Sequence, residues 1–147
     1  MRDINLIVIH CTATKEGADF DAETIRGWHM NQRGFRDIGY HFVVRLDGTI
    51  EGGRDIRHGG AHAKGYNKNS IGIAYVGGLN PEGKPKDTRT VAQLHALRRI
   101  VETLKAIYGE MEVVGHRDLS VDLNGDGMIS ANEWMKACPC FDVKTEL

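Results

Sequence analysis

Residues 4–14 read INLIVIHCTAT, and the first six of them, Ile4 to Ile9, form a nearly continuous run of apolar and β-branched side chains. Such a run predicts a strand covered on both faces, because a strand wet on one side would alternate. His10 closes the run, where buried backbone reaches the surface. Working outward, Asp21 is placed to cap a helix running through Ile25, Trp28 and His29 toward Gln32, and Gly34 and Gly39 end it. HFVVRLDGTI (41–50) sets Asp47-Gly48 between two strand-like segments, a hairpin signal, with Tyr40 entering at its rim. A polar, glycine-rich stretch from Gly52 to Ser70 follows as a cleft wall, then IGIAYV (71–76), a second buried strand ending in Gly77-Gly78. Leu94, Leu97, Val101, Leu104 and Tyr108 recur at helical spacing and predict an amphipathic helix from Thr90 to Tyr108. Val113-Val114 is a last short strand ending at Gly115-His116. The order strand, helix, hairpin, strand, helix, strand predicts an α/β domain: a central mixed β-sheet flanked by helices.

A chain of 147 residues with 41% hydrophobic side chains makes one domain with a substantial core. Nineteen Lys and Arg against twenty Asp and Glu give a formal charge of −1, so no nucleic-acid partner is expected. The apolar run at the N-terminus is too short to span a bilayer and lacks the pattern of a signal peptide. No membrane insertion is expected, and a chain complete as it stands would be made in the cytoplasm. Nothing in it argues for an oligomer, so a monomer is the default. Three cysteines point to free thiols or metal ligands, and Cys138 and Cys140 lie too close in sequence for an unstrained disulfide.

Two imidazoles and a thiol, His10, His116 and Cys138, are ligand types that suit zinc better than a hard cation such as magnesium. Three protein ligands leave a fourth position for water, which reads as hydrolytic. Taken singly, a histidine at a strand end is usually a hydrogen-bonding surface residue, and a lone cysteine a small buried hydrophobe.

VIHCTAT (8–14), GYHFVVRLDGTIEGGRD (39–55), HAKGYNKNSIGI (62–73) and KACPCFD (136–142) together resemble type 2 N-acetylmuramoyl-L-alanine amidases. The likeness is to the small phage enzymes called T7-type lysozymes, which are related to animal peptidoglycan recognition proteins. It covers nearly the whole chain in the same order. The resemblance implies a single zinc amidase domain over 1–147, with peptidoglycan held in a surface groove around zinc. Residue by residue it makes His10, His116 and Cys138 the zinc ligands, Tyr40 the catalytic tyrosine and Lys136 the catalytic lysine. His62 and Asn69 fall in the segment that resembles the substrate-groove wall. The implied reaction is hydrolysis of the lactyl–L-alanine amide of bacterial peptidoglycan, as by a phage or prophage endolysin reaching the wall through a holin or on lysis. The alternative is a non-catalytic peptidoglycan-recognition module, against which Cys138 speaks, because members that only bind commonly lack that ligand. The T7 enzyme also inhibits its phage's RNA polymerase, a contact that the zinc motif does not encode and that is not carried over.

The remaining candidates read as bland. His41 follows Tyr40 in a strand and should turn to the other face. Cys11 reads as a packing thiol, while His29, His58 and His95 lack a partner set. Cys140 is a competing zinc ligand by local slippage, though alignment of KACP and FD favours Cys138.

The 22 positions from His116 to Cys138 exceed the spacing in those phage enzymes. Within them, DLNGDGMISANE (122–133) fits the twelve-residue EF-hand calcium loop. Asp122, Asn124 and Asp126 stand at positions 1, 3 and 5, with Gly127 at the sharp turn. Met128 would offer its carbonyl, Ser130 would bind directly or through water, and Glu133 would close the loop bidentately. The expectation is an inserted loop holding structural Ca2+ and ordering the connection to Lys136 and Cys138.

Overall fold

The computed structural model describes residues 1–147. The INLIVIHC run forms β1 (Leu6–Cys11), every residue of it buried. It lies in a five-stranded sheet with β3 (Phe42–Val44), β4 (Ile50–Gly52), β5 (Ser70–Tyr75) and β7 (Glu112–Gly115), in the order β4-β3-β5-β1-β7. β1 is parallel to β5 and to β7, β3 is parallel to β5, and only β4 runs antiparallel, so the sheet is mixed.

Both faces of β1 are covered, as its composition demands. Ile7, Ile9 and Cys11 pack with Ile71, Ile73 and Tyr75 against Ala96, Leu97, Ile100, Val101 and Leu104 of α2 (Val91–Tyr108). Leu6 and Val8 face the other way, onto Ala63 and Val114. His10 shares that second face because strand side chains alternate. α1 (Ala22–Gln32) packs through Ala22 and Ile25 onto Ile38 and Val43. Val43 alternates with Val44, which belongs to the α2 cluster, so the two helices lie on opposite faces of the sheet.

Local chemistry sets the ends of these elements. Asp21 caps α1 by accepting the Thr24 N–H at 2.8 Å, and Thr90 and Gln93 form a reciprocal capping box on α2. Gln93 is fully buried, and its amide also donates to the carbonyls of Val44 and Val76, tying the helix to two strand ends. The hairpin between β3 and β4 closes over Arg45–Thr49, where Arg45 and Thr49 bond N to O at 2.9 Å. Gly48 sits at φ +87, and a Cβ there would come within 2.9 Å of the Ala92 carbonyl at the start of α2.

A two-stranded parallel pairing of β2 (Thr14–Lys15) with β6 (Gly78–Leu79) was not legible in the residues. Beyond β7 the chain makes a 3-10 turn at His116–Leu119, an exposed loop, a second such turn at Ala131–Glu133, and finally α3 (Val143–Glu146). No helix is long and apolar enough to cross a membrane.

Candidate active site

Parallel pairing sets His10 beside His116. Ile9 is in register with Gly115, so the next residue of each chain segment emerges at the same end of the sheet. The two rings are 4.7 Å apart, centre to centre, and both are nearly buried. Cys138 arrives from the C-terminal turn, with its Sγ 3.8 Å from His10 Nδ1. The ligand atoms of the three residues all lie within 4.8 Å of one another.

The turn that delivers Cys138 is anchored three ways. Arg117 N–H donates to the Cys138 carbonyl at 2.9 Å, Tyr75 O–H donates to the Pro139 carbonyl at 2.6 Å, and Cys11 N–H donates to Cys138 Sγ at 3.2 Å. Gly115 allows the turn to dock, since a Cβ there would come within 2.8 Å of Pro139 Cδ. Cys140 leaves this group, donating its thiol proton to the Gly78 carbonyl at 3.4 Å. The Cys11 thiol is pushed up to about 12, by its contact with Cys138 foremost.

Burial, then the charges of His62, His116 and Lys136, holds His10 well below its ordinary value. His116 is pushed down to about 4 by burial and by Lys136. Both rings are therefore neutral at pH 7 and can offer lone pairs. Two neutral imidazoles and a sulfur fit a borderline-soft ion with a free coordination position, and that is the donor chemistry of zinc.

Tyr40 stacks at a tilt on His10, with centroids 5.2 Å apart, and packs edge-on against His29 at 5.3 Å. Burial pushes its phenol pKa up, so the hydroxyl keeps its proton. Lys136 is exposed, and its charge reaches both His10 and His116.

The pattern of N-acetylmuramoyl-L-alanine amidases matches residues 1–140. The chain belongs to that amidase family. It is 41% identical to the endolysin of Escherichia phage T7 over 138 residues, 94% of this chain and 82% of the relative. Among solved structures it superposes on the N-acetylmuramoyl-L-alanine amidase LysC of Clostridium intestinale with a TM-score of 0.70 at 28% identity, covering 94% of this chain and 77% of LysC. It also superposes on bumblebee PGRP-SA with a TM-score of 0.71 at 26% identity, covering 95% of this chain and 80% of that one.

In this amidase-family chain the two residues expected along the groove wall part company. Asn69 lies at the far end of the sheet: its carbonyl accepts from Asn5 N–H, and its amide donates to the Asp3 carbonyl. Five residues of strand at about 3.3 Å each put it roughly 16 Å from His10. The structure therefore does not bring Asn69 to the site; the β5 strand begins just after it and carries the chain back toward the ligands. His62 does reach the site, but from beneath, with Nδ1 2.8 Å from His10 Nε2. The asparagine that shapes this segment is Asn67, whose Oδ1 accepts from His62 N and Ala63 N.

His29, which lacked a partner set, and His41 both accept a backbone N–H through Nδ1. His29 Nδ1 accepts from Gly39 N–H at 2.8 Å, fixing the residue before Tyr40. His41 packs against His62, with ring centroids 5.9 Å apart, and so stays on the side of the sheet that carries His10; its Nδ1 accepts from Gly72 N–H at 3.0 Å, and its Nε2 donates to the His58 carbonyl at 2.8 Å. Burial is the main cause that pushes both down to about 4, from an ordinary 6.5. The unfolded chain therefore takes up these protons first as pH falls. Stability is full above about pH 6.5 and drains away between there and about 4. Urea unfolding of the metal-free protein at pH 7.5 and pH 5 should show a lower midpoint at pH 5, and equal midpoints would contradict the buried neutral state.

The long connection behaves as a closed loop. Asp122, Asp126 and Glu133 bring carboxylate oxygens within 4.8 Å of one another. Asp122 accepts from Gly125 N–H and Gly127 N–H, Asn124 from Asp126 N–H, and Asp126 from Met128 N–H. Ser130 bonds Glu133 through both its N–H and its hydroxyl. Gly127 takes φ +81 at the expected sharp turn. Met135 N–H donates to Ser120 Oγ at the neck of the loop, and Arg117 lies 3.9 Å over the Trp134 ring.

Proposed function

We propose that this chain is a zinc-dependent amidase that hydrolyses the lactyl–L-alanine amide of bacterial peptidoglycan, as an endolysin does. The observation that carries the reading is the convergence of His10, His116 and Cys138 within 4.8 Å in a chain of the amidase family. Zinc, when held by these three side chains, supplies a Lewis acid that activates water and polarises a carbonyl. The remaining work falls to the protein. Neutral His10 and His116 keep their lone pairs available, Tyr40 hydrogen-bonds the attacking water or the developing oxyanion through its protonated hydroxyl, and the Lys136 ammonium offsets that negative charge. Tyr40 is set in place by packing between His10 and His29.

Mass spectrometry of purified peptidoglycan incubated with zinc-loaded protein tests the reading. Stem peptides with an L-alanine amino terminus should appear. Binding without cleavage, at confirmed zinc occupancy, would replace it with a recognition module.

We infer further that the Asp122–Glu133 loop holds a structural Ca2+. Support comes from the ligand positions falling in register and from the clustering of Asp122, Asp126 and Glu133 oxygens. Calcium would neutralise these carboxylates and order the segment leading to Lys136 and Cys138. Calcium at 100 times its Kd should raise stability by about 2.7 kcal/mol, roughly 5–10 °C in Tm, when added to zinc-loaded, calcium-free protein. Glu133→Gln should remove most of that gain. An unmoved Tm and unchanged activity would end the calcium reading.

A further inference from the structure

Beneath the proposed zinc site runs a chain of polar groups, buried at His10 and Ser70 and partly exposed at His62. His62 Nδ1 is 2.8 Å from His10 Nε2, and His62 Nε2 is 3.2 Å from Ser70 Oγ. Ser70 is fully buried and His10 is 2% exposed. The backbone is cleared for the His62 ring: a Cβ on Gly72 would meet its Cγ and Cδ2 at 2.6 Å, and one on Gly60 would meet its Cδ2 at 2.6 Å. Gly72 lies in the middle of a buried strand, where glycine otherwise weakens packing and marks a close approach. Asn67 holds the backbone of this segment by accepting from His62 N and Ala63 N at 2.9 and 3.0 Å.

The donor sense of this chain follows from the metal reading of the previous subsection, on which it rests. A neutral imidazole has one N–H and one lone pair. His10 Nδ1 faces Cys138 Sγ at 3.8 Å, close to the roughly 3.6 Å that separates nitrogen and sulfur on one tetrahedral zinc. Nδ1 is thus the ligand atom and Nε2 must carry the proton. That proton needs an acceptor, and the atom opposite it is His62 Nδ1. His62 must then hold its own proton on Nε2, where Ser70 Oγ accepts it.

We propose that His62, seated by Ser70 and Asn67, is a positioning residue for the metal centre: it accepts the His10 Nε2 proton and so commits His10 Nδ1 to zinc. Outer partners of this kind hold ring orientation and tautomer, and losing one typically weakens metal binding by 10–100-fold. An isosteric acceptor should restore it, and asparagine places an oxygen near the position of Nδ1.

The test measures zinc affinity by chelator competition in the parent protein, His62→Leu and His62→Asn, together with the histidine tautomers of the zinc-loaded parent by 15N NMR. Expected are a 10–100-fold weaker Kd in His62→Leu, recovery of most of the loss in His62→Asn, and protons on Nε2 of both His10 and His62. Parent-like affinity in His62→Leu, or a proton on His62 Nδ1 in the zinc-loaded parent, would overturn the proposal while leaving the amidase reading intact. A parent protein that binds no zinc would overturn both. The tautomer measurement decides the matter even where His62→Leu does not fold.

Discussion

Cys138→Ser protein should release no measurable stem peptide and should retain little zinc after dialysis. The serine hydroxyl stays protonated at neutral pH and is a poor ligand for a borderline-soft ion, whereas a thiolate is a strong one. The substitution also shortens the bond from Cβ to the ligand atom, drawing it away from the Cys11 N–H that orients the sulfur at 3.2 Å. A loss of at least about a thousandfold in turnover is expected for a group on which the reaction depends. Cys140→Ser serves as the contrast: its thiol faces the Gly78 carbonyl, and a hydroxyl can make the same donation, so activity should stay near the parent value. Zinc content by elemental analysis and product release by mass spectrometry check both variants. Full activity in Cys138→Ser, or its loss in Cys140→Ser alone, would move the ligand assignment to the other cysteine.

Lys136→Ala should lose turnover while keeping zinc. The ammonium is exposed and is no metal ligand, yet its charge already depresses the protonation of His10 and His116, so it acts within the site's electrostatic reach. Removing one charge or donor that stabilises a developing oxyanion lowers kcat by about a hundred- to a thousandfold. The effect should fall on kcat and not on KM, because the negative charge exists only in the transition state. In the metal-free variant both histidines should take up protons at somewhat higher pH than in the parent, since a repelling cation is gone. Steady-state kinetics with zinc content measured on the same sample is the check, and parent-like kcat would remove Lys136 from the mechanism.

Much of the architecture was open to a reader of the residues. The Ile4–Ile9 run predicted a strand covered on two sides, and β1 is buried along its whole length between α2 and the Ala63 face. Asp21 and Thr90 marked both helix starts, and Leu94 to Tyr108 the amphipathic stripe, because capping and helical periodicity are written within one or two turns of chain. The Asp47-Gly48 signal located the hairpin. Its closure across Arg45–Thr49 was less legible, for it answers to the packing of Ala92 onto Gly48.

Residue type and a period of two or 3.6 were enough to single out side chains able to bind a metal, the buried segments, and the order of β1, α1, the β3–β4 hairpin, β5, α2 and β7, but not β2, β6 or α3. Only the tertiary structure decided which of these residues meet. His10 and His116 come side by side through the register of two parallel strands 106 positions apart. Tyr75 and Arg117, far from Cys138 in the chain, hold the turn that brings its sulfur to them. His62 and Asn69, seven positions apart in one polar segment, end at different levels of the sheet, and the first lies under His10 because two glycines from separate segments leave room for its ring. Such partnerships are set by long-range packing and by the directions of buried hydrogen bonds, which no local pattern of residues encodes.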